Sequence, residues 1–214
     1  GTGNVAKGEN ATVSGGMNNR ATNNYGTIAG GRWNIAGNLN DNPKDAMYAT
    51  VGGGTENVAR GSFSVVPGGS SNLAAADYSF AAGHRATVYT EHQGAFLYAD
   101  SKDFDFRSAA ANEFAVRATG GFRFFTATDM TGHPGAGARL LSGSGTWESF
   151  SDRNAKTFFA TIDRYRILEH LSRLPTTTWS YKTQVPHIRH LGPTSQDFYE
   201  VFGLGDDDKY ISTV

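Results

Sequence analysis

Apolar positions in the first third of the chain are sparse and evenly spaced. Thr12-Val13, Thr27-Ile28, Thr50-Val51 and Val65-Val66 each stand just ahead of a Gly-Gly pair, at 15/16, 30/31, 53/54 and 68/69. Behind each pair comes an Asn-x-Ala unit, and the asparagines of such units fall at 4, 19, 34, 57 and 72. Both series advance by 15 residues, with a single step of 23. Short β-branched runs bounded by turn residues predict short strands, and 15 residues suffice for one coil of a solenoid with two strands and two turns. Glycine supplies the tight or positive-φ positions. The eight extra residues fall within 38–45 (NLNDNPKD), whose proline and asparagines predict a surface loop.

The pattern changes from Glu91. Residues 92–101 (HQGAFLYADS) and 114–124 (FAVRATGGFRF) alternate in the β manner, with aromatics where alanine and glycine stood before. They predict a thicker β neck over 91–131. Residues 132–150 form a Gly/Ser-rich connector. Beyond it, Ile162, Tyr165, Leu168 and Leu171 recur at helical spacing, so Thr161–Leu174 is expected to be an amphipathic helix stopped by Pro175. Thr176–Tyr181 is expected to be a strand, and Thr194–Phe202 a second helix closed by Gly203. The fold class expected is mainly β: solenoid repeats over 1–90, neck, connector, then a small α+β module over 151–214.

Composition fits this division, since 27 glycines in 214 residues and 18% charged residues are unusual for a compact globule. A net charge of −1 gives no electrostatic case for nucleic acid or an anionic membrane. With no cysteine there are no disulfides or thiolate metal sites. No apolar run approaches the roughly 18 residues of a membrane span, and no signal peptide opens the chain, which begins in mid-pattern like a piece of something longer. A coil of 15 residues has almost no interior to offset an ordering cost of about 1 to 2 kcal/mol per residue. Three copies packed about an axis would bury the broad face that stacking leaves open. A homotrimer is therefore the expected assembly.

Candidate chemistry gathers at the start of the C-terminal module, in Ser151-Asp152-Arg153-Asn154-Ala155-Lys156. A serine hydroxyl attacks a carbonyl only if something takes its proton, and a neutral lysine amine can do so. Burial favours the neutral amine, and Phe150, Phe158 and Phe159 are candidates to enclose it. The same residues also fit a turn capped by Ser151 or Asp152, with Lys156 in solvent. Other clusters carry less. Asp100, Asp103 and Asp105 lack the ligand intervals of a calcium loop and are read as turn carboxylates. Gly132, Gly135 and Gly137 are followed by neither lysine nor a helical pattern, which removes a phosphate loop. His187 and His190 have no third ligand and are read as structural or solvated. No cofactor and no metal is expected.

Trp147 to Lys156, Leu171 to Lys182 (LSRLPTTTWSYK), His187 to Phe202 (HIRHLGPTSQDFYEVF) and Tyr210 to Val214 (YISTV) together resemble the endosialidase-type intramolecular chaperone and autoprotease of phage tail spikes and fibres. The resemblance implies a domain that trimerises, guides folding of the passenger before it, and then cuts itself off. It places the catalytic dyad on Ser151 and Lys156 and gives Gln196 a supporting role, although Ser195 stands where the family usually has alanine. Attack of Ser151 on the carbonyl of its own preceding residue makes Phe150–Ser151 the preferred bond. Asp152 and Asn154 are possible supporting residues, and backbone amides, Asn154 or a neighbouring protomer are candidate donors to the developing charge. The family domain usually continues into a helix beyond the Ile-Ser-Thr-Val element, so cleavage in this chain is expected to be slow or incomplete.

The repeats, followed by Tyr78 to Ala86 (YSFAAGHRA), resemble the YadA-like head of trimeric autotransporter adhesins, a left-handed parallel β-roll in a trimer. Together the two resemblances imply the tip of a fibre, extracellular on a bacterial surface or phage virion, that binds an unknown receptor or glycan. Two other readings are a β-solenoid enzyme that degrades polysaccharide and a solenoid that binds ice or mineral. The first wants paired carboxylates in a groove, whereas the glutamates of the repeats, Glu9 and Glu56, stand far apart. The second wants regular threonines, and Thr12, Thr27 and Thr50 are interrupted at Val65.

Overall fold

The computed structural model describes residues 1–40 and 42–211 and divides into two compact units, Gly1–Gly121 and the chain from Phe122 onward. The first unit is the β-solenoid that the 15-residue period predicts. Val5–Ala6, Arg20–Ala21, Ile35–Ala36, Val58–Ala59 and Leu73–Ala74 stack in parallel, continued by Ala86–Val88 and Phe106–Arg107, into one sheet of seven strands. The facing sheet stacks Thr12–Val13, Thr27–Ile28, Thr50–Val51 and Val65–Val66, then Phe80–His84, Phe96–Ala99 and Phe114–Arg117. The sheets thus run on past residue 90, where repeat spacing ends. Strand pairing continues there because backbone ladders do not require the Asn-x-Ala motif.

The interior is one alanine plus one branched side chain thick. Ala21, Ala36, Ala59 and Ala74 face inward from one sheet and Ile28, Val51 and Val66 from the other, all fully buried. Asparagine fills the corner. In each of Asn19, Asn34, Asn57 and Asn72 the amide donates to glycine carbonyls of its own and the next coil, as Asn34 does to Gly30 (3.0 Å) and Gly54 (2.9 Å). Its Oδ1 accepts the backbone N–H one coil on, 3.0 Å for Asn34 to Asn19 and 3.0 Å for Asn57 to Asn34. The second of these bonds crosses the longer step of the repeat, so the insertion leaves the register intact. Within the insertion, Asp45 accepts from Asn23, Asn38 and Asn40 at 2.6–2.8 Å, and the Asn40 amide first among them holds its carboxyl below the usual range. Asp41 lies outside the described residues.

Positive φ is not left to glycine alone. Tyr25, Tyr48, Phe63 and Tyr78 occupy the left-handed region, with φ of 58–62°, at one turn of successive coils. Such a conformation costs a bulky residue roughly 1 to 2 kcal/mol, and here it brings the four rings into a stack with centroids 4.7, 5.0 and 5.2 Å apart. Aromatic contacts of this kind offset that cost. Outward from the other sheet, the threonines of positions 12, 27 and 50 give way to Val65 and then to stacked Phe80, Phe96 and Phe114.

At the far coils, the carboxylates read as solvated turn residues are instead paired. Asp100 meets Arg117 at 2.8 Å, and Asp105 meets Arg85 and Arg107, each at 2.7 Å. Among the described residues no group of three or more histidines and carboxylates is placed to hold a metal ion, and no helix is long and apolar enough to cross a membrane.

The second unit opens with three strands forming one sheet in the order Gly121–Thr128, Pro134–Leu141, Trp147–Ser149, the first from the neck and the other two from the connector. The stretch expected to be a flexible connector is therefore largely strand. One of its glycines is needed for close approach of the strands: a Cβ at Gly137 would lie 2.2 Å from the Phe124 carbonyl oxygen. Helix α1 (Arg164–Arg173) begins three residues later than expected, because the Asp163 carboxylate accepts the Tyr165 N–H at 2.9 Å and caps it there. Thr177–Trp179 pairs antiparallel with His190–Gly192. Helix α2 (Ser195–Phe202) carries a capping box of Thr194 and Asp197 and ends at Gly203 in the left-handed region, as the sequence predicts. Neither helix contains a buried residue.

Candidate functional site

The site is built by a short turn. Phe150 leaves the third neck strand with its N–H donated to the Gly137 carbonyl at 2.8 Å, so the residue before Ser151 is anchored to the sheet. The Asp152 Oδ1 then accepts the Asn154 N–H at 2.9 Å and caps the 3-10 turn Arg153–Ala155. That turn reverses the chain and returns Lys156 to Ser151, where its Nζ donates to Oγ at 2.5 Å. The capped turn and the serine–lysine contact were alternatives in the sequence; the geometry contains both.

Supporting groups divide sharply. Asn154 gives its backbone N–H and one amide N–H to Asp152, at 3.2 Å for Nδ2. Gln196 sits exposed on α2, and among the described residues no hydrogen bond joins it to Ser151 or Lys156. The apolar enclosure expected for Lys156 is not formed within one chain. Phe158 is 95% exposed and Phe159 61% exposed, the latter lying under the Arg153 guanidinium at 4.8 Å. Ser151 and Lys156 are exposed as well. His190 is structural: it stacks on Trp179 at 4.6 Å, with Nε2 2.9 Å from the Gln184 Oε1.

A cavity of about 320 Å³ adjoins the bond between Phe150 and Ser151, lined across the neck sheet by Arg123, Phe125, Arg139 and Glu148. None of these four was singled out in the sequence. The available signal was alternation, since Arg123 and Phe125 stand two apart on one strand and so share a face.

Residues 151–204 match the family model described as chaperone of endosialidase. The match begins at Ser151 itself and takes in the turn, α1, the two-stranded pair and α2, so the C-terminal part of the chain is similar to this chaperone over those elements. No curated protein and no solved structure matches the chain. Of the Ile-Ser-Thr-Val element, Ser212, Thr213 and Val214 lie outside the described residues.

Proposed function

We propose that the chain is the tip region of a homotrimeric fibre, of a phage tail or a bacterial surface, whose C-terminal chaperone brings three copies together and then cuts itself free. The observation that carries this reading is the 2.5 Å contact of Lys156 with Ser151 at the first residue of the chaperone match. The unprotonated Lys156 amine takes the Ser151 hydroxyl proton as Oγ adds to the Phe150 carbonyl carbon. The tetrahedral centre collapses with loss of the Ser151 nitrogen, which receives that proton, and Phe150 is left as an ester on Oγ. Water then hydrolyses the ester, leaving a Phe150 carboxylate and a free Ser151 amino terminus. The chemistry is a single turnover with no separate substrate and no cofactor.

The solenoid is the passenger in this reading, a YadA-like head that binds a receptor or glycan outside the cell. Support for the trimer comes from surface that one chain leaves open: Phe114 is 73% exposed, Tyr165 83% and Leu168 62%. Neighbouring copies covering Phe158 and Phe159 would also supply the dry surroundings in which a lysine acts as a base. Intact mass tests both halves. Under native conditions three chains are expected, and under denaturing conditions a fragment ending at Phe150, which Ser151→Ala abolishes. A native mass of one chain, or a fragment that persists in Ser151→Ala, refutes the proposal.

A further inference from the structure

The cavity beside Phe150 and Ser151 holds two guanidinium groups and one carboxylate. Arg139 Nε bonds Glu148 Oε2 at 2.8 Å, so that pair is internally neutral. Arg123 is the surplus charge. Among the described residues no carboxylate pairs with it, and its recorded neighbour is the Phe125 ring at 6.0 Å. The Phe150 carbonyl is equally uncommitted: its own N–H is held by Gly137, but among the described residues no donor reaches its oxygen. Arg123, which no carboxylate pairs with, and Phe150, whose carbonyl accepts no hydrogen bond among the described residues, thus line one partly apolar cavity.

We propose that Arg123 stabilises the oxyanion that forms on Phe150 during self-cleavage. The inference rests on the Ser151–Lys156 reading and assigns the donor which that reading leaves open. When Oγ adds, the carbonyl π pair moves onto the Phe150 oxygen, and a positive charge lining the same cavity lowers the cost of that step; when the C–N bond breaks the pair returns and the charge is lost. The same stabilisation recurs as water adds to the ester. A guanidinium suits this task because it stays charged and offers several donors in a plane. Of the other local candidates, Asn154 bonds Asp152 and the charge of Arg139 is offset by Glu148, whereas among the described residues no carboxylate pairs with Arg123. Arg123 precedes the cut while Lys156 follows it, so the reaction itself divides its own apparatus between the two products.

The test compares cleavage rates of the full chain with those of Arg123→Gln, Arg123→Lys and Arg123→Ala, with native mass and circular dichroism recorded for each. Arg123→Gln is expected to slow appearance of the fragment ending at Phe150 by about 100-fold. Arg123→Lys should remain within about tenfold of the parent, and millimolar ethylguanidinium should restore part of the rate in Arg123→Ala. Rescue by the small cation is a readout that a merely structural arginine would not give, and it decides the case if Arg123→Gln is poorly folded. Equal rates for parent and Arg123→Gln, or no response of Arg123→Ala to the cation, overturn the role of Arg123 while leaving the dyad standing if Ser151→Ala is uncut. A parent chain that never cuts, or a Ser151→Ala chain that does, overturns both.

Discussion

Lys156 meets Ser151 across a turn that Asp152 caps. The 2.5 Å contact of Nζ with Oγ spans five residues of backbone, reversed by a single 3-10 turn. If Ser151 is the nucleophile and Lys156 the base, their replacements should separate by chemistry. Ser151→Cys keeps a nucleophile and should still cut, through a thioester. Lys156→Arg keeps the charge but removes the base, since a guanidinium is not deprotonated in a protein, and should be uncut. Asp152→Ala loses a cap worth about 1 kcal/mol, which predicts cleavage roughly fivefold slower. Timed denaturing gels measure all three, and cutting by Lys156→Arg at the parent rate would contradict the assignment.

The paired glycines of the repeat are not equivalent. A Cβ at Gly31 would lie 2.2 Å from the Gly54 carbonyl oxygen, and φ there is 89°; a Cβ at Gly30 would meet nothing within 4 Å. Gly31→Ala therefore forces apart two coils whose separation is fixed by the backbone ladder and by the Asn34 bonds to Gly30 and Gly54. Gly30→Ala is expected to melt within a few degrees of the parent, whereas Gly31→Ala should lower the melting temperature strongly or yield insoluble protein. Equal melting temperatures for the two would contradict the account.

That difference also marks what could be read in the sequence. The spacing of Gly-Gly and Asn-x-Ala gave coil length and the site of the insertion, because each repeat repeats its own hydrogen bonds. It could not say which glycine of a pair is needed, since only the carbonyl of the next coil distinguishes them. Likewise Pro134–Leu141 has little β-propensity of its own and becomes strand by pairing with the Phe-rich Gly121–Thr128. The cavity was hidden for that reason: Arg139 and Glu148 lie in the stretch read as connector, which has no faces, and only Arg123 and Phe125 stand in an alternating run. Near Ser151 the capped turn was legible, because capping is local and the Asp152 side chain reaches only two residues on.

Acid should loosen the far end of the solenoid first. The Thr119 hydroxyl and N–H, at 2.6 and 2.7 Å, with the Arg117 guanidinium at 2.8 Å, hold the Asp100 carboxyl well below the usual carboxylate range. Because the folded pKa is depressed, this contribution is complete above the usual range and is lost as pH falls from there toward the folded value. The melting temperature of the parent should therefore drop across that interval more steeply than that of Asp100→Asn, which has no proton to bind. Parallel curves for the two proteins would exclude Asp100 as a source of the acid sensitivity.

Helix α1 gives the most direct test of assembly. Ten residues are marginal as an isolated helix in water, and here Tyr165, Leu168 and Leu171 lie 83%, 62% and 51% exposed on its apolar side, with no buried residue in the helix to anchor it. Such a helix persists if neighbouring copies cover that stripe, at about 25 cal/mol for each Å² of apolar surface removed from water. Leu168→Asp places a charge in the middle of the stripe without touching the Asp163 cap. It should reduce the native mass from three chains to one and remove self-cleavage along with it, while the solenoid peptide bonds remain intact to denaturing mass measurement. A Leu168→Asp protein that stays trimeric at nanomolar concentration would show that α1 does not form the seam, and would move the search for it to the outward column of Phe80, Phe96 and Phe114.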